Sequence, residues 1–398
     1  MKPASTSATA KLMLAFALAI TIPTIPQAQG QAFNVVYNFT GESDGGESLA
    51  GLTVDTAGNL YGTTSSGGLS NVGVVFKVTP SGAETVLHTF TDSPDGSNPN
   101  GGLLRDKLGN LYGTTKSGGS SGNGAVFEIT ASGKESVIYS FLGGTDAADP
   151  LAGLAMDAAG NLYGTTGEGG SKGNGTVFKL THPQNGTKWK ETVLYGFGTG
   201  TDGAVPVAGV TLDAAGNIFG TTSEGGAFGL GTIFKLSLSG STWKETKVHD
   251  FADGNDGAVP YAGLIFDKSG NFYGGATEGG TGGGGTIFKL TPASGSWTFT
   301  VLYSLPGWGI SGPFRNLMID NAGNLYGTTH CDGASDAGTV YKLSPKNGSW
   351  IYTSLYVFTG GTDGLYSFSN LVVDQGKLYG TTNLGGANGF GVVFEVKP

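Results

Sequence analysis

Five residues hold the densest chemistry in the sequence. Trp308 and Arg315 lie in the segment Pro306-Gly307-Trp308-Gly309-Ile310-Ser311-Gly312-Pro313-Phe314-Arg315, and His330, Cys331 and Asp332 follow in His-Cys-Asp-Gly. An indole, a guanidinium, an imidazole and a carboxylate gathered in one place would suit a sugar ring or a carboxylate ligand. The competing reading is drift in one copy of a repeat. A second group is a ring of aspartates, Asp44, Asp95, Asp146, Asp202, Asp256 and Asp363, three of them within Gly-x-Asp-Gly. Calcium takes about six oxygen ligands, often several carboxylates from one loop. Each of these loops offers one or two, so bracing of the loop is the first expectation and an axial Ca²⁺ or polar ligand the second. No other cofactor is expected.

A further ring, Asp55, Asp106, Asp157, Asp213, Asp267, Asp320 and Asp374, ends a short apolar run each time. It reads as an Asx cap on the turn that follows. His88 and His249 fill the slot held elsewhere by Tyr37, Tyr139, Tyr195, Tyr303 and Tyr356, so they read as packing substitutes. There is no Ser-His-Asp order, no His-Glu-x-x-His and no phosphate-binding glycine loop ahead of a helix. No catalytic residue is therefore assigned.

The elements that position these residues repeat seven times. Gly58-Asn59-Leu60-Tyr61-Gly62-Thr63-Thr64 has counterparts beginning at Gly109, Gly160, Gly216, Gly270, Gly323 and Gly376, with offsets of 51, 51, 56, 54, 53 and 53 residues. That period is the length of a propeller blade. Each unit parses into four short β-branched and aromatic runs separated by Gly, Pro, Asn and Ser, the signature of strands. Glycine supplies 74 of the 398 residues, far above the usual ~7%, and serves the turns. A lone four-stranded sheet cannot bury both faces, whereas seven packed around an axis can. The predicted fold is all-β, a seven-bladed propeller of four-stranded antiparallel blades over residues 33–398. Val35–Phe39 matches a fourth strand and the chain ends on a third, so the N-terminal strand should complete the last blade. Strand alternation then places the glycine-rich loops after the second strands and the loops between blades at one mouth of the ring.

Units of the form GLxxDxxGNLYGTTxxGG…GxVFKLTPxG resemble the GloVer tandem repeat of choice-of-anchor secreted bacterial proteins, over essentially residues 35–398. The resemblance implies an exported protein, commonly with a C-terminal sorting anchor, and no established activity. No such anchor is visible here. More loosely, GLxxDxxGNLY is similar to blades of NHL-type propellers and of virginiamycin B lyase.

Residues 1–32 read as a signal peptide, with Lys2 and Lys11 ahead of the apolar run Leu12–Ile25 and a small-residue stretch at Ala28-Gln29-Gly30. The run falls short of the ~20 apolar residues of a spanning helix, so no transmembrane segment is expected in the mature chain. A net charge of −9 with scattered cations argues against nucleic acid and anionic membranes. One cysteine, Cys331, excludes an intramolecular disulfide and a cysteine-rich zinc site. The expectation is a secreted or periplasmic monomer, a binding or scaffold propeller for a glycan or an extracellular or envelope protein. A polysaccharide- or lactone-directed lyase or hydrolase using the sixth unit, and a structural envelope protein, are the alternatives.

Overall fold

The computed structural model describes residues 32–184, 188–198, 200–307 and 311–398. The proposed leader, apart from Ala32, and Trp308 lie outside the described residues. Seven four-stranded antiparallel sheets follow one another along the chain, and the described residues contain no helix. The first blade is typical: Thr53–Val54, Leu60–Thr64, Val74–Val78 and Glu84–Thr89, hydrogen-bonded in that order. In the seventh, Val372–Asp374, Lys377–Thr381 and Val392–Val396 are joined by Phe33–Asn38 on the outside. Phe33 pairs with Val396 and Asn38 with Val392, so both termini meet in one sheet and the ring closes.

The blades interlock through two aromatic positions. The third-strand phenylalanine lies over the second-strand glycine of its own blade. A Cβ on Gly62 would sit 2.5 Å from Phe76 Cζ, and one on Gly113 2.4 Å from Phe127 Cζ. Glycine is therefore required there to let the ring lie flat. That ring receives the fourth-strand phenylalanine of the preceding blade edge-on. Phe39 meets Phe76 at 5.0 Å, Phe90 meets Phe127 at 5.1 Å and Phe141 meets Phe178 at 5.1 Å. All six of these rings are fully buried, and edge-to-face geometry adds to their burial.

The fourth strands are less regular than simple alternation predicts. Register slips between Val75 and Phe76, with Val86 opposite Phe76 and His88 opposite Val75. The same slip recurs in every blade. A bulge of this kind re-aims the side chains beside it, here the Tyr or His that reaches the loop aspartate. The Asx turns form as expected in the first six blades. Asp55 Oδ1 accepts from the N–H groups of Ala57 and Asn59, both at 2.9 Å. The seventh differs, because its turn is one residue shorter. Gln375 and Gly376 form a two-residue hairpin with φ of 47° and 78°, and Asp374 pairs directly with Lys377.

Candidate functional site

The residues just ahead of each first strand surround the axis. Five are glycine, Gly51, Gly102, Gly153, Gly209 and Gly263, and the last two are Asn316 and Asn370. A Cβ on Gly153 would lie 2.7 Å from the Gly102 carbonyl and one on Gly209 2.9 Å from that of Gly153. Small residues let the inner turns close on one another and leave an axial cavity of about 320 Å³. Arg315 stands where the other blades place Ala50, Gly101, Ala152, Ala208, Ala262 and Ser369. Its guanidinium crosses the axis and donates to the Leu49 carbonyl from Nε (3.1 Å) and Nη2 (2.8 Å), and to the Asn100 carbonyl from Nη2 (3.1 Å). Those carbonyls lead into blades 1 and 2. Burial pulls the guanidinium down to about 10, still cationic at neutral pH.

One residue further toward the mouth the seven positions read Leu49, Asn100, Leu151, Val207, Tyr261, Phe314 and Phe368. The three aromatics are consecutive and form an arc over blades 5 to 7. Tyr261 stacks on Phe314 at 5.2 Å, and Phe314 meets Phe368 edge-on at 5.0 Å. His330, at the end of the second strand of blade 6, sits among them, 4.4 Å from Phe368, 4.5 Å from Tyr366 and 5.2 Å from Phe314 between ring centres. Tyr366 is held there with φ 58°, its N–H bonded to the Ala337 carbonyl and its carbonyl to the Asn383 N–H. Burial drives the His330 imidazole down to about 4, so it is neutral near pH 7. Its Nδ1 is buried with no hydrogen-bond partner among the described residues. All five rings are half-buried.

The other predicted residues go elsewhere. Asp332 turns into its own blade, accepting from the Thr329 hydroxyl and, at 3.2 Å, from the Thr339 hydroxyl. Burial raises its carboxyl against those two bonds. Cys331 is half-buried, and burial, then Asp336 and Asp332, push its thiol up. Arg315, His330 and Asp332 share no hydrogen bond among the described residues. The structure therefore brings His330 to an aromatic arc, and commits Arg315 to the axis and Asp332 to the blade interior. Tyr261, Tyr366 and Phe368 were not singled out from sequence. The run Tyr-Phe-Phe in the last three of seven aligned positions was the available signal.

The second aspartate ring braces the blade junctions. Asp44 accepts from Tyr37 Oη (2.8 Å) and the Thr40 N–H (2.9 Å), and Asp363 from Tyr356 Oη (2.9 Å) and the Thr359 N–H (2.8 Å). Asp146 and Asp202 do the same with Tyr139 and Tyr195. His88 Nε2 lies 3.0 Å from Asp95, and His249 Nε2 2.9 Å from Asp256. These histidines thus replace a donor to the loop as well as a packed ring. A residue of the next blade's outer strand faces this pair. It is Glu84, Glu135, Glu191 or Glu245 at four junctions, each with a buried Oε1 lacking a partner among the described residues. Burial and the neighbouring aspartate push Glu84, Glu191 and Glu245 up to about 7. At the other three junctions an aromatic ring takes the slot and stacks instead. Phe299 lies on His249 at 3.9 Å, Tyr352 on Tyr303 at 4.7 Å and Phe33 on Tyr356 at 3.8 Å.

Comparison with known proteins agrees with this architecture. A family model described as the Gloeobacter/Verrucomicrobia repeat matches residues 21–214, 133–321 and 208–398. No curated protein sequence matches the chain. Among solved structures, the extracellular domain of BT4673, a candidate one-component system of B. thetaiotaomicron, superposes with a TM-score of 0.57 at 10% identity. The match covers 87% of this chain but only 37% of that one. A candidate 6-phosphogluconolactonase from Bacteroides uniformis gives 0.52 at 15% identity, over 81% of this chain and 88% of that one. At these identities the likeness is one of fold.

Proposed function

Starting from a chain that belongs to the Gloeobacter/Verrucomicrobia repeat family, we propose an exported, non-catalytic binding propeller that holds a carbohydrate at the mouth over blades 5 to 7. The observation that carries this reading is the arc of Tyr261, Phe314, His330, Phe368 and Tyr366, five rings in mutual contact on one side of the axis. Aromatic faces beside a cavity are the usual lining of a small-molecule site, and a pyranose presents a flat C–H face suited to them. His330, neutral near pH 7, adds an uncharged imidazole ring to that lining. Beneath the arc, the axial cavity adds the Asn316 and Asn370 amides.

Binding is favoured over hydrolysis by the state of the nearby groups. Asp332 is engaged by two threonine hydroxyls, and the Cys331 thiol is pushed away from its reactive form. Export is supported by the signal-like leader and by a structural neighbour that is itself an extracellular domain. No described helix is long and apolar enough to cross a membrane. The test is a glycan array with the full mature chain, the Phe314→Ala and Tyr366→Ala variants and the Leu151→Ala variant from the opposite arc. Loss of a defined glycan signal in the first two, with Leu151→Ala unchanged, is expected. No signal in the parent, or equal signals in all, overturns the proposal.

A further inference from the structure

We infer that the junction between blades 1 and 2 is a transition-metal site, of Zn²⁺ type, built from His88, Asp95 and Glu135. The ring of seven junctions supplies its own controls. Four carry an Asp and a Glu, and two carry a His with an Asp, but one alone among the described junctions combines all three. At the Tyr37, Tyr139 and Tyr195 junctions the third group is a phenol whose proton is already given to the aspartate. Burial and that aspartate push each of these phenols further up, so none offers a ligand at neutral pH. At the His249 junction the glutamate is replaced by Phe299, stacked on the imidazole at 3.9 Å.

At His88 a nitrogen and two carboxylates converge, with one ligand atom from each residue within 4.8 Å of the others. Nε2 is 3.0 Å from Asp95 Oδ2 and 3.2 Å from Oδ1. Two ligands each about 2.0–2.1 Å from a tetrahedral zinc lie roughly 3.3 Å apart, so a small adjustment admits an ion where the shared proton now sits. The Thr91 N–H holds Asp95 Oδ2 at 3.0 Å and fixes the carboxylate in that position. Glu135 Oε1 is buried with no partner among the described residues. A buried oxygen left bare is costly and calls for a water or an ion. The His88 and Asp95 side chains stay 19% and 12% exposed, leaving an entry path at the rim. One imidazole and two carboxylates with a remaining position for water is a borderline set, suited to Zn²⁺ more than to Ca²⁺, which takes six to eight oxygens.

The test uses the full mature chain and three substitutions that each copy a junction already present in the molecule. His88→Tyr reproduces the Tyr-Asp-Glu junctions, Glu135→Phe reproduces the His249 junction, and His249→Tyr is the control. Zn²⁺ at about a hundred times its Kd should raise Tm by ~3–4 °C for a domain of this size. Calorimetry should give one ion per chain, and Co²⁺ should give visible ligand-field bands at the same stoichiometry. His88→Tyr and Glu135→Phe should abolish all three signals, whereas His249→Tyr and a Ca²⁺ titration of the parent should leave them as they were and give no shift, respectively. A parent that ignores Zn²⁺, a folded His88→Tyr chain that still binds one ion, or loss of binding in His249→Tyr overturns the site.

Discussion

Replacing Arg315 by Met should lower stability without touching the ligand-binding arc. The guanidinium makes three hydrogen bonds to the carbonyls of Leu49 and Asn100, joining blade 6 to the far side of the ring. Hydrogen bonds to a charged group contribute about 1.5–3 kcal/mol each when intact. Water entering the axial cavity of about 320 Å³ recovers part of that, which leaves a net loss of about 2–4 kcal/mol. Unfolding entropy for a domain of this length is about 0.8 kcal/mol/K, so Tm should fall by ~3–5 °C. Met keeps the apolar stem, and Lys keeps the charge but reaches fewer carbonyls, so Arg315→Lys should fall between Met and the parent. Differential scanning calorimetry at pH 7, where the guanidinium is charged, reads the effect, and the glycan array reads binding. A Tm within one degree of the parent combined with lost glycan signal would refute the reasoning, because it would make Arg315 a ligand contact and not a bolt across the axis.

Three other perturbations follow from the same geometry. Removing residues 33–38 strips the outer strand from blade 7 and bares the edge of Val392–Val396, so size-exclusion chromatography should show aggregation; a monodisperse chain with the parent's Tm contradicts the closed ring. Glu84, Glu191 and Glu245 titrate near 7 in the folded chain against an ordinary 4.5. The folded state therefore holds their protons longer, and stability declines as pH rises from about 4.5 to about 7. The triple Glu→Gln variant should gain Tm over the parent at pH 8 and little at pH 4.5, and an equal gain at both pH values contradicts the assignment. For His330, shifted down to about 4, the sign is opposite: its contribution is intact above 6.5 and is lost as pH falls from there toward 4. His330→Phe should flatten that acid limb of the Tm–pH curve while weakening any glycan signal, and an unchanged limb counts against a neutral buried imidazole.

The architecture was legible because its determinants are local and repeated. A strand of five residues, a turn carrying Asp and Gly, and an aromatic in the second and third strands recur seven times, and the offset of the N-terminal strand exposed the closure later seen in the pairing of Phe33 with Val396. The junctions were half legible. In six blades the Tyr or His stands seven residues before its aspartate, as in Tyr37 and Asp44 or His249 and Asp256. From sequence the aspartates were expected to brace their loops and the histidines only to pack; the hydrogen bond that the constant spacing permits emerged from the structure. What faces the pair comes from the next blade, some forty residues on, and only the assembled ring shows that Glu135 lies against His88 and Asp95. The sixth blade was the least legible. Its residues were correctly seen to depart from the repeat, but composition could not tell which way they point. Arg315 occupies a position where other blades carry a small residue, so its long side chain has room only along the axis.

The same logic explains why the outer slot alternates between Glu and an aromatic. A ring there covers the Tyr or His face and excludes water from the junction, as Phe33, Phe299 and Tyr352 do. A glutamate places a second carboxyl beside the loop aspartate, and burial first, with that aspartate second, pushes three of the four up to about 7. All four glutamates lie in the consecutive blades 1 to 4 and the aromatics in blades 5 to 7. The mouth arc of Tyr261, Phe314, Phe368, His330 and Tyr366 occupies blades 5 to 7 as well. The ring is therefore chemically two-sided although its backbone is nearly symmetric. One side is stacked and dry, suited to hold a ligand rigidly, and the other carries carboxyls that respond to protons and, at His88, to a metal. Binding at the arc should consequently be insensitive to Zn²⁺, and a glycan affinity that changes when His88 is replaced by Tyr would show that the two halves of the ring communicate.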